Sequence, residues 1–195
     1  VLVENSTASN NQSRGIEINN SGVLVKSGRL AGNTTNNNAG IGQYIVNAGS
    51  AAMQSAIVDG TTSNGNAERG IMVSSSAGAD ITTIEVKNST SNNNTGSNGR
   101  GTTTGNAAVG TYALINGTNT ITNLTISNST TSSNTTRGIY IDSRAGSTVT
   151  NLTISGNTSS SNTGTNARGI DIGAAGVITT ALLDNNTTNS NASSG

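Results

Sequence analysis

The 195-residue chain contains no cysteine, proline, histidine, tryptophan or phenylalanine, and its only aromatic residues are three tyrosines. Without cysteine there are no disulfides and no thiol chemistry. Without histidine the chain lacks the commonest metal ligand and the commonest general base. Hydrophobic residues make up only 31% of the chain, against about 45–50% in a typical globular domain. The sequence therefore lacks the material for one thick core and favours a thin core that is repeated along an axis.

Charged residues are equally sparse, with nine Lys and Arg balanced by nine Asp and Glu. A nucleic-acid-binding surface needs clustered cations, so we predict no nucleic-acid partner. No apolar run approaches the ~20 residues of a membrane span, so we predict no membrane insertion. The chain opens within its repeat at Val1-Leu2-Val3 and stops at Ser194-Gly195, where a further strand is due. We interpret it as a segment of a longer protein.

One pattern recurs along the chain: an apolar residue, a Thr four positions later and an Asn eight positions later. Successive copies begin between 27 residues apart (Val3 to Leu30) and 40 residues apart (Val86 to Ile126). Seven copies in register predict a repeat protein that forms one domain over residues 1–195. The copies are Val3/Thr7/Asn11, Leu30/Thr34/Asn38, Val58/Thr62/Asn66, Val86/Thr90/Asn94, Ile126/Thr130/Asn134, Ile154/Thr158/Asn162 and Leu183/Thr187/Asn191.

A second segment follows the Asn in several copies and has the form Arg-Gly-apolar-x-apolar. Its alternation has the period of a β-strand, and no segment of the chain sustains the helical period. About 28 residues then hold three short strands and three turns, which closes one coil of a parallel β-helix. We predict an all-β, right-handed parallel β-solenoid with three short strands per coil. The segments begin at Arg14, Arg69, Arg137 and Arg168.

The 40-residue interval indicates an insertion. Residues 110–117 resemble residues 42–49, so the coil itself keeps its form. We therefore expect about 12 additional residues near Thr102–Val109, as a loop on the surface of one coil.

With these motifs the sequence resembles the right-handed parallel β-helix repeat proteins of bacterial, archaeal and phage surfaces, which share the fold of the pectate-lyase-like superfamily. The resemblance covers the whole chain and concerns its structural motifs. The sequence departs from that family in having a longer coil, and it lacks the family's enzymatic residues. The resemblance implies the fold and a surface location but no catalytic site.

Five arginines are predicted to occupy the same corner in different coils, with Gln43 near the place of the missing one: Arg14, Arg69, Arg100, Arg137 and Arg168. Either each guanidinium bonds carbonyl groups of its own corner and packs on its neighbour, or the column forms a ridge that binds an acidic polysaccharide or another anionic surface. We expect the glycine that follows each arginine to supply a turn with positive φ.

Three further kinds of site are weaker. Acids scattered over the repeat leave Asp142, Arg144 and Asp171 as the best enzyme site, and we predict no enzymatic activity and no cofactor. Threonine pairs such as Thr148/Thr150 suggest ice binding, but Val23 and Met53 interrupt that array. Possible N-glycosylation sequons include Asn5, Asn33, Asn88, Asn128, Asn134 and Asn157.

These observations favour a structural protein over a binding module or an enzyme. We predict a rigid extracellular or cell-surface stalk, fibre or filament component that self-associates end to end or laterally. The alternative is an adhesin module that presents the Arg column to a surface polysaccharide. A polysaccharide-cleaving enzyme and an ice-binding protein rank behind both.

Overall fold

Each coil of the chain contributes up to three short strands that run parallel to the equivalent strands of the next coil. The computed structural model describes residues 1–21, 25–75, 79–95, 111–115, 118–164 and 167–193. Arg100, Val23 and the predicted insertion at 102–109 lie outside these residues. The strands are β1 Leu2–Glu4, β2 Ile16–Asn20, β3 Ser27–Ala31, β4 Thr34–Asn36, β5 Gln43–Asn47, β6 Met53–Asp59, β7 Thr62–Asn64, β8 Ile71–Ser75, β9 Ile81–Lys87, β10 Thr111–Ile115, β11 Thr120–Ser127, β12 Ile139–Ser143, β13 Thr148–Ser155, β14 Thr158–Ser160, β15 Ile170–Ala174, β16 Val177–Asp184 and β17 Thr187–Asn189.

The strands stack into three parallel sheets. Sheet A has the order β1-β3-β6-β9-β11-β13-β16, and sheet C has the order β15-β12-β10-β8-β5-β2. Between them, sheet B consists of the pairs β4-β7 and β14-β17, joined by single bridges between the threonines of the repeat. Strand partners lie about 28 residues apart, so the chain is a β-solenoid of about six turns. The predicted fold class is confirmed.

The core is a set of aliphatic columns on the inner faces of sheets A and C. The first residues of the repeat pair directly from coil to coil, as in Leu30 with Val58 and Ile126 with Ile154. Leu124, Ile126, Ile139 and Ile141 have no exposed surface. Because the sheets are narrow, the apolar part of each coil is only a few side chains, and this matches the low hydrophobic content.

An asparagine ladder supports the corner between sheets B and C. The last Asn of each repeat accepts a hydrogen bond at Oδ1 from the backbone N–H of the Asn one coil before it, at 3.0 to 3.2 Å. Every bond points the same way along the axis. These amides satisfy turn groups that no sheet reaches. The ladder is formed by Asn11, Asn38, Asn66, Asn94, Asn134, Asn162 and Asn191.

The corner after sheet A requires a left-handed backbone conformation in every coil. Asn5, Asn88 and Asn128 have φ between 49° and 53°, and Gly32 and Gly60 in other coils have φ of 61°. Glycine and asparagine adopt this conformation at the lowest cost. The alternation of Asn and Gly at this corner is therefore a backbone requirement.

The glycine after each Arg has a different role from the one expected. Gly70 and Gly138 are not among the residues with positive φ, so the predicted turn is wrong. A Cβ on Gly70 would instead overlap Ser91 Oγ, and it would lie 2.8 Å from Asn94 Nδ2. Glycine is required there because the backbone approaches the ladder too closely for any side chain.

The left-handed conformation at this corner predicts which substitutions of its glycine preserve the stability of the fold. Gly60 has φ of 61°, and a Cβ there meets no atom within 4 Å. Gly60→Asn is therefore expected to hold or raise the free energy of unfolding, by about 0.5 kcal/mol, because glycine loses more entropy on folding. Gly60→Val is expected to lose about 1–2 kcal/mol, since a branched side chain opposes this conformation. Urea unfolding of both variants checks the corner, and equal losses would contradict it.

Candidate functional site

The described arginines of the predicted column each precede a strand of sheet C by two residues: Arg14, Arg69, Arg137 and Arg168. The second residues of the sheet C strands form one column in the backbone register, which runs from Glu17 through Tyr44, Met72, Tyr112 and Tyr140 to Asp171. All three tyrosines of the chain therefore stand in one column, with an acid at each end. The shared position of the tyrosines within the repeat was visible in the sequence. The outward direction of Tyr44 and Tyr140 was not, because sheet C has apolar residues on both faces.

Three arginines of the column, Arg14, Arg137 and Arg168, pair with these acids or rings. Arg14 donates from Nη1 to Glu17 Oε1 at 2.7 Å, and its guanidinium lies 5.0 Å from the centre of the Tyr44 ring. Such stacking of a planar cation on an aromatic face is favourable. Arg14 therefore pairs with both a carboxylate and a phenol ring.

The C-terminal part of the column repeats this arrangement with more burial. Arg137 forms an ion pair with Asp171 of the next coil and lies 4.3 Å from the centre of the Tyr140 ring. Arg168 donates to the same carboxylate, from Nη1 to Oδ1 at 2.9 Å. The Arg137 side chain is 9% exposed and that of Arg168 is 39% exposed. One acid therefore joins two arginines of adjacent coils, which offsets the repulsion between stacked like charges.

A small crevice lies between the first two described arginines. It is lined by Arg14, Tyr44, Arg69 and Met72, with Glu68 at its side. Tyr44, Met72, Ile41 and Val46 also form a second apolar cluster on the outer face of sheet C. This outer cluster is not apparent from the alternation of the strands in the sequence.

Burial and pairing shift the pKa values of groups along this face. Burial raises the pKa of Tyr44 above its usual range, although a hydrogen bond with Ser74 Oγ opposes the shift. Burial also raises the pKa of Tyr140 above its usual range, and the negative charge of Asp142 raises it further. The hydrogen bond to Glu17 raises the pKa of Arg14. Arg14 therefore stays charged, and Tyr44 and Tyr140 stay neutral, well beyond neutral pH.

These shifts predict alkaline instability. A tyrosine with a raised pKa in the folded protein contributes its full stability below about pH 10, its ordinary value, and loses it as the pH rises through the folded pKa. The free energy of unfolding is therefore expected to fall above about pH 10. Tyr44→Phe should flatten this fall, because it removes one of the titrating groups. Tyrosinate absorbance against pH checks the shift, and ordinary titration of every tyrosine would contradict it.

The other predicted sites are distributed as follows. Asp142 and Arg144 form their own pair at 3.3 Å, so the carboxylates of the proposed enzyme site each face a guanidinium. On the outer face of sheet A, Thr83 is in register with Ser55 and Asn123, so the threonine array is irregular. Met53 is fully buried in the core and does not face that surface.

Of the six predicted sequon asparagines, three are buried and three are exposed. Asn33, Asn134 and Asn157 are at most 1% exposed, and their side chains bond between coils, so a glycan there would break these bonds. Asn5, Asn88 and Asn128 are exposed at the left-handed corner. Glycosylation at these three stays a prediction.

The geometry defines the class of this protein as a parallel β-solenoid. Comparison of the chain with protein-family models, with curated proteins and with solved structures finds no match. Over the described residues, no helix is long and apolar enough to cross a membrane. In the same residues, no group of three acids, histidines or cysteines is placed to hold a metal ion.

Proposed function

We propose that this chain is a rigid structural segment of an extracellular or cell-surface protein, within a stalk, fibre or filament. The observation that carries the proposal is the continuity of its ladders. The aliphatic columns of sheet A and the Asn ladder run through every coil and reach both end coils, from Val3 to Leu183 and from Asn11 to Asn191. Such a structure can be lengthened by whole coils without a new core.

The end coils support self-association. Sheet A ends in β1 and β16, and each pairs with a strand on one side only. The large apolar residues exposed by 50% or more among those described all lie in these end regions: Val1 65%, Leu2 56%, Val177 58%, Leu182 54% and Leu183 53%. Unpaired parallel edges beside exposed apolar side chains favour pairing with a further strand, either of an adjoining coil or of another copy. We propose end-to-end or lateral association of copies on this basis.

Electron microscopy across a concentration series tests the proposal. Association is expected to give fibres about one solenoid wide, with strands at right angles to the fibre axis and a spacing of about 4.8 Å in fibre diffraction. Seven stacked strands at that spacing give a single chain a length of about 34 Å. Uniform particles of that length at every concentration would contradict self-association.

We propose, as a second candidate, binding of an acidic surface polysaccharide at the arginine column. The observation that favours it is the crevice beside Arg14, whose side chain is 44% exposed. Binding to a uronic polysaccharide should weaken with salt and with Arg14→Ala. Arg29→Ala is a matched control, because Arg29 is 48% exposed and also ion-paired, but it lies on sheet A. Equal loss in both variants would contradict a specific site.

We also propose kinship with the β-helix repeat proteins of the pectate-lyase-like superfamily. The parallel order of three sheets supports it. The surface location belongs to the same proposal, because it is what the resemblance to those proteins implies.

A further inference from the structure

The threonine of the repeat forms an unbroken column on sheet B. In all seven copies it stands in register with the threonine of the neighbouring coil, through the strand pairs β4-β7 and β14-β17 and through single bridges elsewhere. Parallel strands are about 4.8 Å apart, so the column is about 29 Å long. One side chain therefore recurs on every coil at the strand spacing. The members are Thr7, Thr34, Thr62, Thr90, Thr130, Thr158 and Thr187.

The side chains of this column point away from the core. Four of the seven threonines are exposed and three are half-buried. The residue after each of them points inward instead: Thr35 and Ser63, for example, are fully buried, and their hydroxyls bond each other at 2.8 Å. Within the described part of the chain, none of the seven outward hydroxyls has a hydrogen-bond partner. These hydroxyls are therefore available to groups outside the protein.

A second polar column runs beside the threonines, two residues further along each strand. Its side chains bond from coil to coil. Asn64 Oδ1 accepts from the backbone N–H of Asn92 at 2.8 Å, and Asn92 Oδ1 accepts from that of Ser132 at 2.7 Å. These bonds fix the surface next to the threonines. Because a β-branched side chain has few rotamers, the threonine hydroxyls themselves are also held in a repeated position.

The surface around the threonine column carries no charge, no aromatic ring and no large apolar side chain. It is formed by seven segments that contain only Asn, Ser, Thr, Gly and Ala, and we call it the sheet B face. Nucleic acids and lipid surfaces are bound through charged or apolar side chains, which this face lacks. The three tyrosines, whose rings could stack on a sugar, all belong to sheet C. The segments are residues 5–11, 32–38, 60–66, 88–94, 128–134, 156–162 and 185–191.

The spacing of the threonine column suits water in a tetrahedral arrangement. A water that bonds two hydroxyls about 4.8 Å apart, at about 2.8 Å from each, has an angle of about 118° between its two bonds, near the ~109° of tetrahedral water in ice. One such water fits between each threonine and the next. The column therefore favours an ordered file of waters whose geometry resembles that of ice.

We propose that the sheet B face binds the surface of ice, through waters that the threonine column holds in register. Because the column is rigid and preorganised, many weak bonds to water add along it without further ordering of the protein. A single chain is sufficient for this interaction. It is therefore independent of whether copies of the chain associate, and it has a separate readout.

Uptake of the fluorescently labelled 195-residue chain into a slowly growing ice crystal tests the proposal. The chain is expected to be concentrated in the ice, whereas labelled serum albumin, as the control protein, should be expelled into the liquid. Sedimentation with cellulose is measured in parallel, because a neutral polysaccharide also presents rows of hydroxyls. Expulsion of the chain from ice, with or without sedimentation with cellulose, would overturn the proposal.

Two exposed threonines of one coil give matched variants. Thr130 belongs to the threonine column, and Thr122 lies in β11 of sheet A. Thr130→Lys places a long charged side chain within the column and keeps the ice surface away from the threonines on either side, so it is expected to lower uptake at least about tenfold. Thr122→Lys adds the same charge and should leave uptake unchanged. Thermal melts show that both variants remain folded, and equal losses in the two would contradict a site on sheet B.

Discussion

The Leu124→Asp variant is expected to lose at least about 5 kcal/mol of its free energy of unfolding, which is as much as a marginally stable domain possesses. Leu124 has no exposed surface and stands in the aliphatic column of sheet A, between Ile84 and Leu152. Truncating a buried leucine costs about 2–5 kcal/mol, and an unpaired carboxylate in the same place adds several more. Because each coil rests on its neighbours, the loss should extend beyond one coil.

Asn123→Asp provides the control for this prediction. Asn123 precedes Leu124 in β11 and is exposed on the outer face, where its Oδ1 accepts a bond from Asn151 Nδ2 at 3.1 Å. The substitution changes one exposed atom and should alter stability by less than about 0.5 kcal/mol. Urea unfolding followed by circular dichroism compares the two. Similar midpoints would show that the inner and outer faces are wrongly assigned.

The second large loss of stability is expected when one side-chain amide of the Asn ladder is replaced by a carboxylate. In Asn94→Asp, the amide that donates from Nδ2 to Asn134 Oδ1 at 2.9 Å becomes a carboxylate oxygen facing another acceptor. The site has no exposed surface. Breaking a buried polar pair in this way costs about 3–5 kcal/mol. Calorimetry should therefore show a large fall in the melting temperature at neutral pH.

The effect should depend on pH in a defined direction. The introduced carboxyl group has a raised pKa in the folded protein, because burial favours its neutral form. Its penalty is therefore present at neutral pH and shrinks as the pH falls toward about 4, where the unfolded chain also binds the proton. Asn93→Asp, at the adjacent exposed residue, should show neither the loss nor the recovery. A pH-independent loss in Asn94→Asp would contradict the ladder.

The strands and their order could be predicted from the sequence because period and position determine them. The alternation of Ile139 and Ile141 sets a strand with one inward face, and the repeat interval sets which strands are neighbours. The Asn that ends each copy of the repeat recurs in register in the sequence, and in the structure these residues form one ladder. The sequence could also place Arg14 and Arg168 at equivalent corners.

Other features of the fold and of the candidate site depend on tertiary contacts, which local sequence patterns do not encode. Asn5 and Asn33 are both followed by Thr two residues later, yet one is exposed and the other is buried. Their difference depends on which side of the corner the backbone turns. In the same way, Gly70 is required by the approach of Ser91 from the next coil, a contact invisible to any turn rule. The pairing of Arg137 with Asp171 likewise joins residues 34 apart in the chain.

The central claim is that coils stacked on their neighbours form a rigid segment. Single-molecule force spectroscopy, in which each molecule is pulled from its two ends, tests this claim most directly. Ladder partners lie 27, 28, 40 and 29 residues apart in different coils. At ~3.4 Å per extended residue, ordinary coils should unravel in steps of about 10 nm and the longest in a step of about 14 nm. A series of such steps under sustained force is the predicted result. A single release of the whole chain, or extension without resistance, would contradict it.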